Sequence, residues 1–227
     1  GPKPPSLPGK FIFLVLAVLW LASGIYVVAP EEQAVVVRFG KALRSTGPGP
    51  HWHMPYPIEW VEKVPVTRIQ KEEIGFRTVS VGPPARYREI PRESLMLTGD
   101  ENIVDLEFIV QYQISDPIAF LFNVRDQRET LRDAAEAAMR QVIGTKTIDE
   151  ALTTGKGVIQ DEVQVQLQDM LENYKMGVSV KTVKLQDVDP PKEVNDAFKD
   201  VINAQQDKER SFNEAMGYRN DIIPKAR

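Results

Sequence analysis

From Phe11 to Ala29 the chain reads FIFLVLAVLWLASGIYVVA, a stretch without one charged side chain. As an α-helix it would be roughly 28 Å long, close to the ~30 Å hydrocarbon core of a bilayer. The pattern therefore predicts a transmembrane helix over 11–29, with Trp20 and Tyr26 supplying amphipathic rings suited to the interfaces. A buried core helix of this length normally keeps a polar face, which this one lacks. A cleaved signal peptide would explain Lys3, Lys10 and the small residues at Ala22–Gly24, but the apolar run outlasts the usual ~7–15 residues of such a segment. An uncleaved anchor is the better reading. The Lys/Arg bias between Lys3 and Lys10 before the run and Glu31 and Glu32 after it favours an N-terminus in the cytoplasm. Residues 1–10 read as a Pro-rich, extended lead-in.

Beyond the apolar run the periodicity changes. Ala34–Phe39 is β-branched and aromatic, which predicts a short strand closed by Gly40. The Pro-rich STGPGPHWHMPYPIEW (45–60) is expected to be a rigid loop that packs on the sheet or touches a membrane surface through Trp52, Tyr56 and Trp60. Val61–Phe76 reads as a further strand region, with Pro65 marking an edge or an irregularity. The clearest strand is Ile103–Ile114. Val104, Leu106, Phe108, Val110, Tyr112 and Ile114 share one face, and Asp105, Glu107, Gln111 and Gln113 the other. Leu95–Thr98 and the turn Gly99–Asn102 suggest its hairpin partner.

Helical spacing then takes over. Asp116-Pro117 opens a short helical turn, and Leu131, Ala135, Ala138 and Val142 recur until Gly144. Thr147-Ile148-Asp149-Glu150 has the form of a capping box, a break is expected around Gly155–Gly157, and the helix resumes over Val158–Tyr174 before Met176-Gly177. Val178–Leu185 alternates once more and predicts a returning strand. These elements make one α+β domain over 30–189. After Pro190-Pro191, Val194, Val201, Lys208, Ala215 and Ile222 repeat every seven residues, interleaved with Phe198, Gln205, Phe212 and Arg219. That pattern predicts a long helix over 190–227 whose polar-interrupted seam needs lateral neighbours, the alternative being a solvated helix on its own domain. Pro224 is expected to kink or end it, and the chain is expected to be a piece of a longer one.

Charge and composition narrow the function. A net charge of −4 and a pI near 5.4 leave no concentrated basic surface of the kind nucleic acid needs. The absence of cysteine excludes thiol catalysis, disulfides and Cys-ligated zinc. His51 and His53 would face one side of an extended segment, but they have no third ligand at recognisable spacing before Glu59, so a structural or interfacial role is preferred to a metal. Gly155-Lys156-Gly157 lacks the upstream glycine and the Ser or Thr of a phosphate loop. Ser94 could in principle pair with a lysine, yet no local motif favours it. The carboxylate pairs Asp100-Glu101 and Glu72-Glu73 read as solvated charges. No catalytic, cofactor or metal site is predicted, and the chain is read as a non-enzyme.

PRESLMLTGDENIVDLEFIVQYQISDP (91–117) is a specific signature, joined by EEQAVVVRFGK, LRDAAEAAMRQVIG, TIDEALTTGKGVIQDEV and YKMGVSVKTVKLQDVDPPKEVNDAF. In this order and over nearly all of 11–227 it resembles the bacterial HflK/HflC subgroup of the stomatin/prohibitin/flotillin (SPFH, band 7) superfamily. The resemblance implies a membrane-proximal SPFH domain, a long coiled-coil-like helix that continues past Arg227, and lateral assembly into large membrane-bound rings or cages. It also implies a hetero-oligomer with an HflC-like paralogue that encloses the membrane protease FtsH and regulates its access to membrane substrates, and a bacterial inner-membrane location with the folded part in the periplasm. The readings to be weighed against it are a membrane-anchored peptidase and a prohibitin- or stomatin-type membrane-organising scaffold without FtsH.

Overall fold

A computed structural model describes residues 9–80, 82–153, 155–192 and 194–225. Lys3 lies outside the described residues, as do the side chains of Lys10, Phe198, Gln205 and Ile222. The chain begins with α1 (Gly9–Ala22), followed by β1 (Ile25–Val28), β2 (Glu32–Arg38), β3 (Lys41–Thr46), β4 (Gly49–Trp52) and β5 (Glu59–Pro65). The predicted helix over 11–29 is thus corrected at its end: α1 has 14 residues, ~21 Å of rise, and Ile25–Val28 is strand. Among the described residues no helix is long and apolar enough to cross a membrane. The physical reason is local. Ile25, Val27 and Val28 are β-branched, and they find a partner strand in β4 with Tyr26 opposite His51 and Val27 opposite Pro50.

The Pro-rich segment expected to be all loop therefore supplies β4 and the end of β3. A two-stranded ribbon tolerates this because its outer edges need no donors, so Pro50 forfeits nothing there. β2 is central in a separate three-stranded sheet ordered β3-β2-β5, and Ala34, Val35, Val36 and Val37 are all buried. Burial on both faces explains why that run is continuous rather than alternating. Pro65 ends β5 at the edge of this sheet, as its missing N–H requires.

The stretch read as one strand region over 61–76 is divided. β6 (Gln70–Ile74) joins the main sheet, and β7 (Phe76–Ser80) pairs with β8 (Arg86–Glu89) as a hairpin. After the short α2 (Pro91–Ser94), β9 (Leu95–Leu97) turns back onto β10 (Ile103–Ile114), the predicted hairpin. The predicted alternation of β10 is observed residue by residue, with Val104, Leu106, Phe108, Val110, Tyr112 and Ile114 buried.

The remaining elements are α3 (Pro117–Phe122), α4 (Gln127–Ile143), α5 (Ile148–Leu152), α6 (Lys156–Asn173), β11 (Val178–Asp189) and α7 (Asn195–Lys225). Asp116 caps α3 by accepting from the amides of Ile118 (2.9 Å) and Ala119 (3.1 Å), and Thr147 with Glu150 forms the expected capping box on α5. Leu131, Ala135, Ala138 and Val142 of α4 are buried, together with Ile159, Val163, Leu167 and Leu171 of α6. These two stripes cover the apolar face of β10 and its antiparallel partner β11 and close the core. β11 is an edge strand, running four residues past the predicted end. Two of its amides are covered by α6: Val180 donates to Gln168 Oε1 (2.8 Å) and Leu185 to Gln160 Oε1 (3.1 Å).

Because Phe108 is fully buried and Ile109 faces outward on the same strand, the two should separate core packing from surface effects. Phe108→Ala is expected to cost about 3–5 kcal/mol in a denaturant titration, and Ile109→Ala about 1 kcal/mol or less.

Candidate functional site

Three regions carry the side chains that interact beyond the core. The first is the end of α1. Trp52 Nε1 donates to the carbonyl of Leu21 (2.9 Å) and Trp20 Nε1 to that of Tyr56 (3.1 Å), so the Pro-rich segment closes over the last turn of the helix. The amide of His53 donates to the Gly24 carbonyl (3.0 Å), and a Cβ at Gly24 would stand 2.1 Å from the His53 carbonyl oxygen. Only glycine permits that approach. His51 and His53 do share one side of the chain, and what they flank is the ring of Tyr26, at centroid distances of 5.8 and 5.4 Å. His51 Nε2 lies 2.8 Å from the Gly47 carbonyl and His53 Nδ1 2.6 Å from that of Met54. Among the described residues no group of three or more acidic or histidine side chains is placed to hold a metal.

Beneath this segment the Glu59 carboxylate is buried and accepts from the amide of Met54 (2.8 Å) and from Arg38 Nε (2.9 Å) and Nη2 (2.6 Å). Burial alone would raise its pKa. The Met54 amide and the Arg38 guanidinium outweigh it and hold the carboxyl below its usual range. Around this anchor Ile25, Val27, Phe39, Met54 and Tyr56 remain exposed, beside an α1 whose Phe11, Phe13, Leu14, Leu16, Val18 and Leu19 are exposed as well.

The second region corrects the reading of Glu72-Glu73 as solvated charges. Alternation along β6 turns Glu72 to the helix side of the sheet, where it is 3% exposed. There it accepts from Arg128 Nε (3.1 Å) and Nη2 (3.0 Å) and pairs with Arg132, both on α4. A buried carboxylate with two guanidiniums ties the sheet to the helix. Glu73 points the other way and accepts from the Thr78 amide (2.8 Å) and hydroxyl (2.7 Å). The pair lines an open cleft of about 800 Å³ with Lys71, Arg77 and Asp126, in which charges of both signs alternate.

Asp100-Glu101 is corrected in part too. Asp100 accepts from the Thr98 hydroxyl (2.6 Å) and from the amide of Ile148 (3.1 Å), and these bonds hold its carboxyl below the usual range. The Gly99 amide donates to the Lys146 carbonyl (2.8 Å). The Thr-Gly-Asp-Glu-Asn turn is therefore a pin between the β9–β10 hairpin and the loop that precedes α5. Glu101 occupies the left-handed region at φ 65° and is exposed. The other candidates resolve structurally. The Ser94 hydroxyl is buried with no hydrogen-bond partner among the described residues. Gly155 packs against the Glu150 carbonyl, where a Cβ would sit 2.5 Å away, and Gly155-Lys156-Gly157 simply starts α6.

The third region is α7, 31 residues long. Val201, Lys208, Phe212, Ala215 and Arg219 are all exposed, as is Tyr218, and the helix is described through Pro224 to Lys225. The sequence pattern predicted lateral neighbours for these seam positions, and among the described residues those with described side chains stand exposed.

Along the chain an apolar helix, an α+β domain and a long exposed helix follow one another, the order of a membrane-proximal band 7 protein. The profile of the SPFH domain / Band 7 family matches residues 26–219, and the chain belongs to that family, in its HflK branch. It is 44% identical over 217 residues to Protein HflK of Treponema pallidum (strain Nichols), covering 94% of this chain and 66% of that protein. Against Protein HflK of Borreliella burgdorferi the identity is 36% over 218 residues, with 94% and 68% covered. Against the Modulator of FtsH protease HflK of Escherichia coli (strain K12) it is 34% over 229 residues, covering 100% of this chain and 50% of that protein. The chain spans about half to two thirds of the length of such relatives.

Removing Glu72 leaves Arg132 partly buried without its counter-charge, whereas Arg128 is 71% exposed at its side chain. Glu72→Ala is accordingly expected to destabilise the fold by about 3–5 kcal/mol. Arg128→Ala should cost about 1 kcal/mol or less in the same chemical denaturation experiment.

Proposed function

We propose that this chain is a membrane-attached scaffold that assembles with an HflC-like paralogue into a large ring or cage, and that the assembly regulates access of membrane substrates to an FtsH-type protease. The observation that carries the reading is that α1 exposes apolar side chains on every side, Phe13 to 75% and Leu19 to 62%. Water is a poor solvent for such a helix, and lipid is a good one. In this reading α1, extended by the exposed side chains of Ile25, Val27, Phe39 and Tyr56, is the part lodged in the bilayer. The N-terminus is cytoplasmic and the domain over 30–189 periplasmic in a bacterial inner membrane, as the bias of Lys3 and Lys10 against Glu31 and Glu32 favours.

Lateral assembly is supported by α7, whose Val201, Phe212 and Tyr218 are exposed at 64–70%. Neighbouring helices side by side would bury them, and repetition around a ring would add stability that one sparse seam cannot supply. The link to FtsH rests on the relative in Escherichia coli that is named for modulating that protease. The scaffold itself performs no bond-breaking step in this proposal: confinement of a membrane patch is its mechanism, and the Glu72, Glu59 and Asp100 networks stiffen the domain.

Detergent-solubilised protein, co-expressed with its HflC-like paralogue and the FtsH-type protease of the same organism, is expected to migrate as a very large assembly containing all three. Phe212→Asp with Val201→Asp should shift the complex to small species while leaving the domain folded by circular dichroism. A small species for the unmodified protein in the presence of both partners would defeat the scaffold reading.

A further inference from the structure

The face of β10 that points away from the core meets β11 in an unusual way. Asp105 lies directly opposite Asp189, and two residues on Glu107 lies directly opposite Asp187. Like charges in facing cross-strand positions repel, and here two such pairs stand side by side on one face. Glu89 of β8 joins them in lining a small recess with Pro190, Lys192 and Asn195. The recess lies where β11 ends and the chain passes through Pro190-Pro191 to α7. One oxygen of Asp105, Oδ1, is buried there with no hydrogen-bond partner among the described residues. The ladder is irregular at the same place, with a register shift between Glu107 and Phe108.

The opposing cations are few. Lys192 pairs with Glu89 (2.7 Å) and acts on Glu107 from that position, and Lys156, at the start of α6, acts on Asp189. One pair further along, Lys184 stands opposite Ile109 on the same two strands. Glu73 of β6 and Tyr87 of β8 complete the surroundings of Glu107 on its other side. Among the described residues, these five carboxylates thus face Lys192, already engaged with Glu89, and Lys156, with Lys184 one pair further along.

We infer that the carboxylate quartet Asp105, Glu107, Asp187 and Asp189 is a pH-sensitive joint at the root of α7, zipped when one carboxyl holds a proton and loosened when all four are ionised. Glu107 is the group that holds the proton. Desolvation first, then Asp105, Asp187 and Glu89, push its carboxyl from 4.5 up to about 7, against the weaker opposing effect of Lys192. Asp189 is raised in the same sense, by burial and by Asp187. A carboxyl with a raised folded-state pKa binds more protons folded than unfolded between 4.5 and about 7. Stability of the joint is therefore fully present below that window and is lost as pH rises through about 7. The end of β11 is what gives way, because beyond Asp189 two prolines supply no amide to continue the ladder. Loosening there changes the angle at which α7 leaves the domain, a quantity to which any side-by-side packing of that helix is sensitive.

Amide hydrogen exchange read by mass spectrometry on the 227-residue chain tests this. Between pH 5.5 and 8.5, after correction for intrinsic base catalysis, peptides covering 184–189 and 103–108 are expected to lose protection by about three- to tenfold. The stretch 110–114 of β10, paired at its other end, should hold its protection. Glu107→Gln should abolish the difference by keeping 184–189 protected at pH 8.5, and Asp187→Asn, which removes a charge from the facing strand, should shrink it. Equal protection of 184–189 at both pH values in the unmodified chain overturns the inference. So does a Glu107→Gln protein, or an Asp187→Asn protein should the first not fold, that shows the full pH difference.

Discussion

Six side chains of β10, at every second position from Val104 to Ile114, are held out of water by α4 and α6, and each remaining part of the molecule is arranged around that contact. A strand that buries one complete face needs partners on both edges and a lid on the buried side. β11 and the pair β6 and β9 provide the edges. Alanines at 135 and 138 let α4 come close enough to serve as part of the lid. The same contact dictates where charge must be neutralised. β6 is in register with β10, so Glu72 falls beneath α4 and has to be met by Arg128 and Arg132.

The opposite face of β10 is only partly covered, by residues of β7, β8 and the stretch that leads to α7. There the alternation that packs the core forces Asp105 and Glu107 outward together, against Asp187 and Asp189. The core and the acidic joint are thus two sides of one strand, and neither register can change without the other. A slip of one residue would bury the carboxylates and expose Phe108 and Tyr112. The domain is held in one arrangement by its interior, while its electrostatic tension is placed where the chain departs for α7.

Two helices with unmet needs emerge from this stable centre. α1 has apolar side chains on all sides, and α7 has seam residues without a partner among the described residues. Among the described residues, no member of the buried core comes from either helix. In the proposed function, lipid would cover the first and neighbouring subunits the second. The hydrogen bonds of Trp20 and Trp52 give the first of these helices a defined attachment to the domain.

Much of this was legible from residue order alone, wherever the controlling interaction is local or periodic. The alternation of 103–114, the Thr147–Glu150 capping box, the Asp116-Pro117 turn and the long terminal helix all depend on spacings of two to seven residues, and the structure reproduces them. What tertiary structure alone decided depends on partners distant in the chain. Ile25–Val28 left the helical run because residues 49–52 lay beside it, a pairing no local signal announces. Glu72 and Asp100 were indistinguishable from solvated acids until Arg128, Arg132 and Ile148 came within bonding distance. The like-charge pairs of β10 and β11 likewise exist only in the folded register, because Coulomb energy follows distance in space and not separation along the chain.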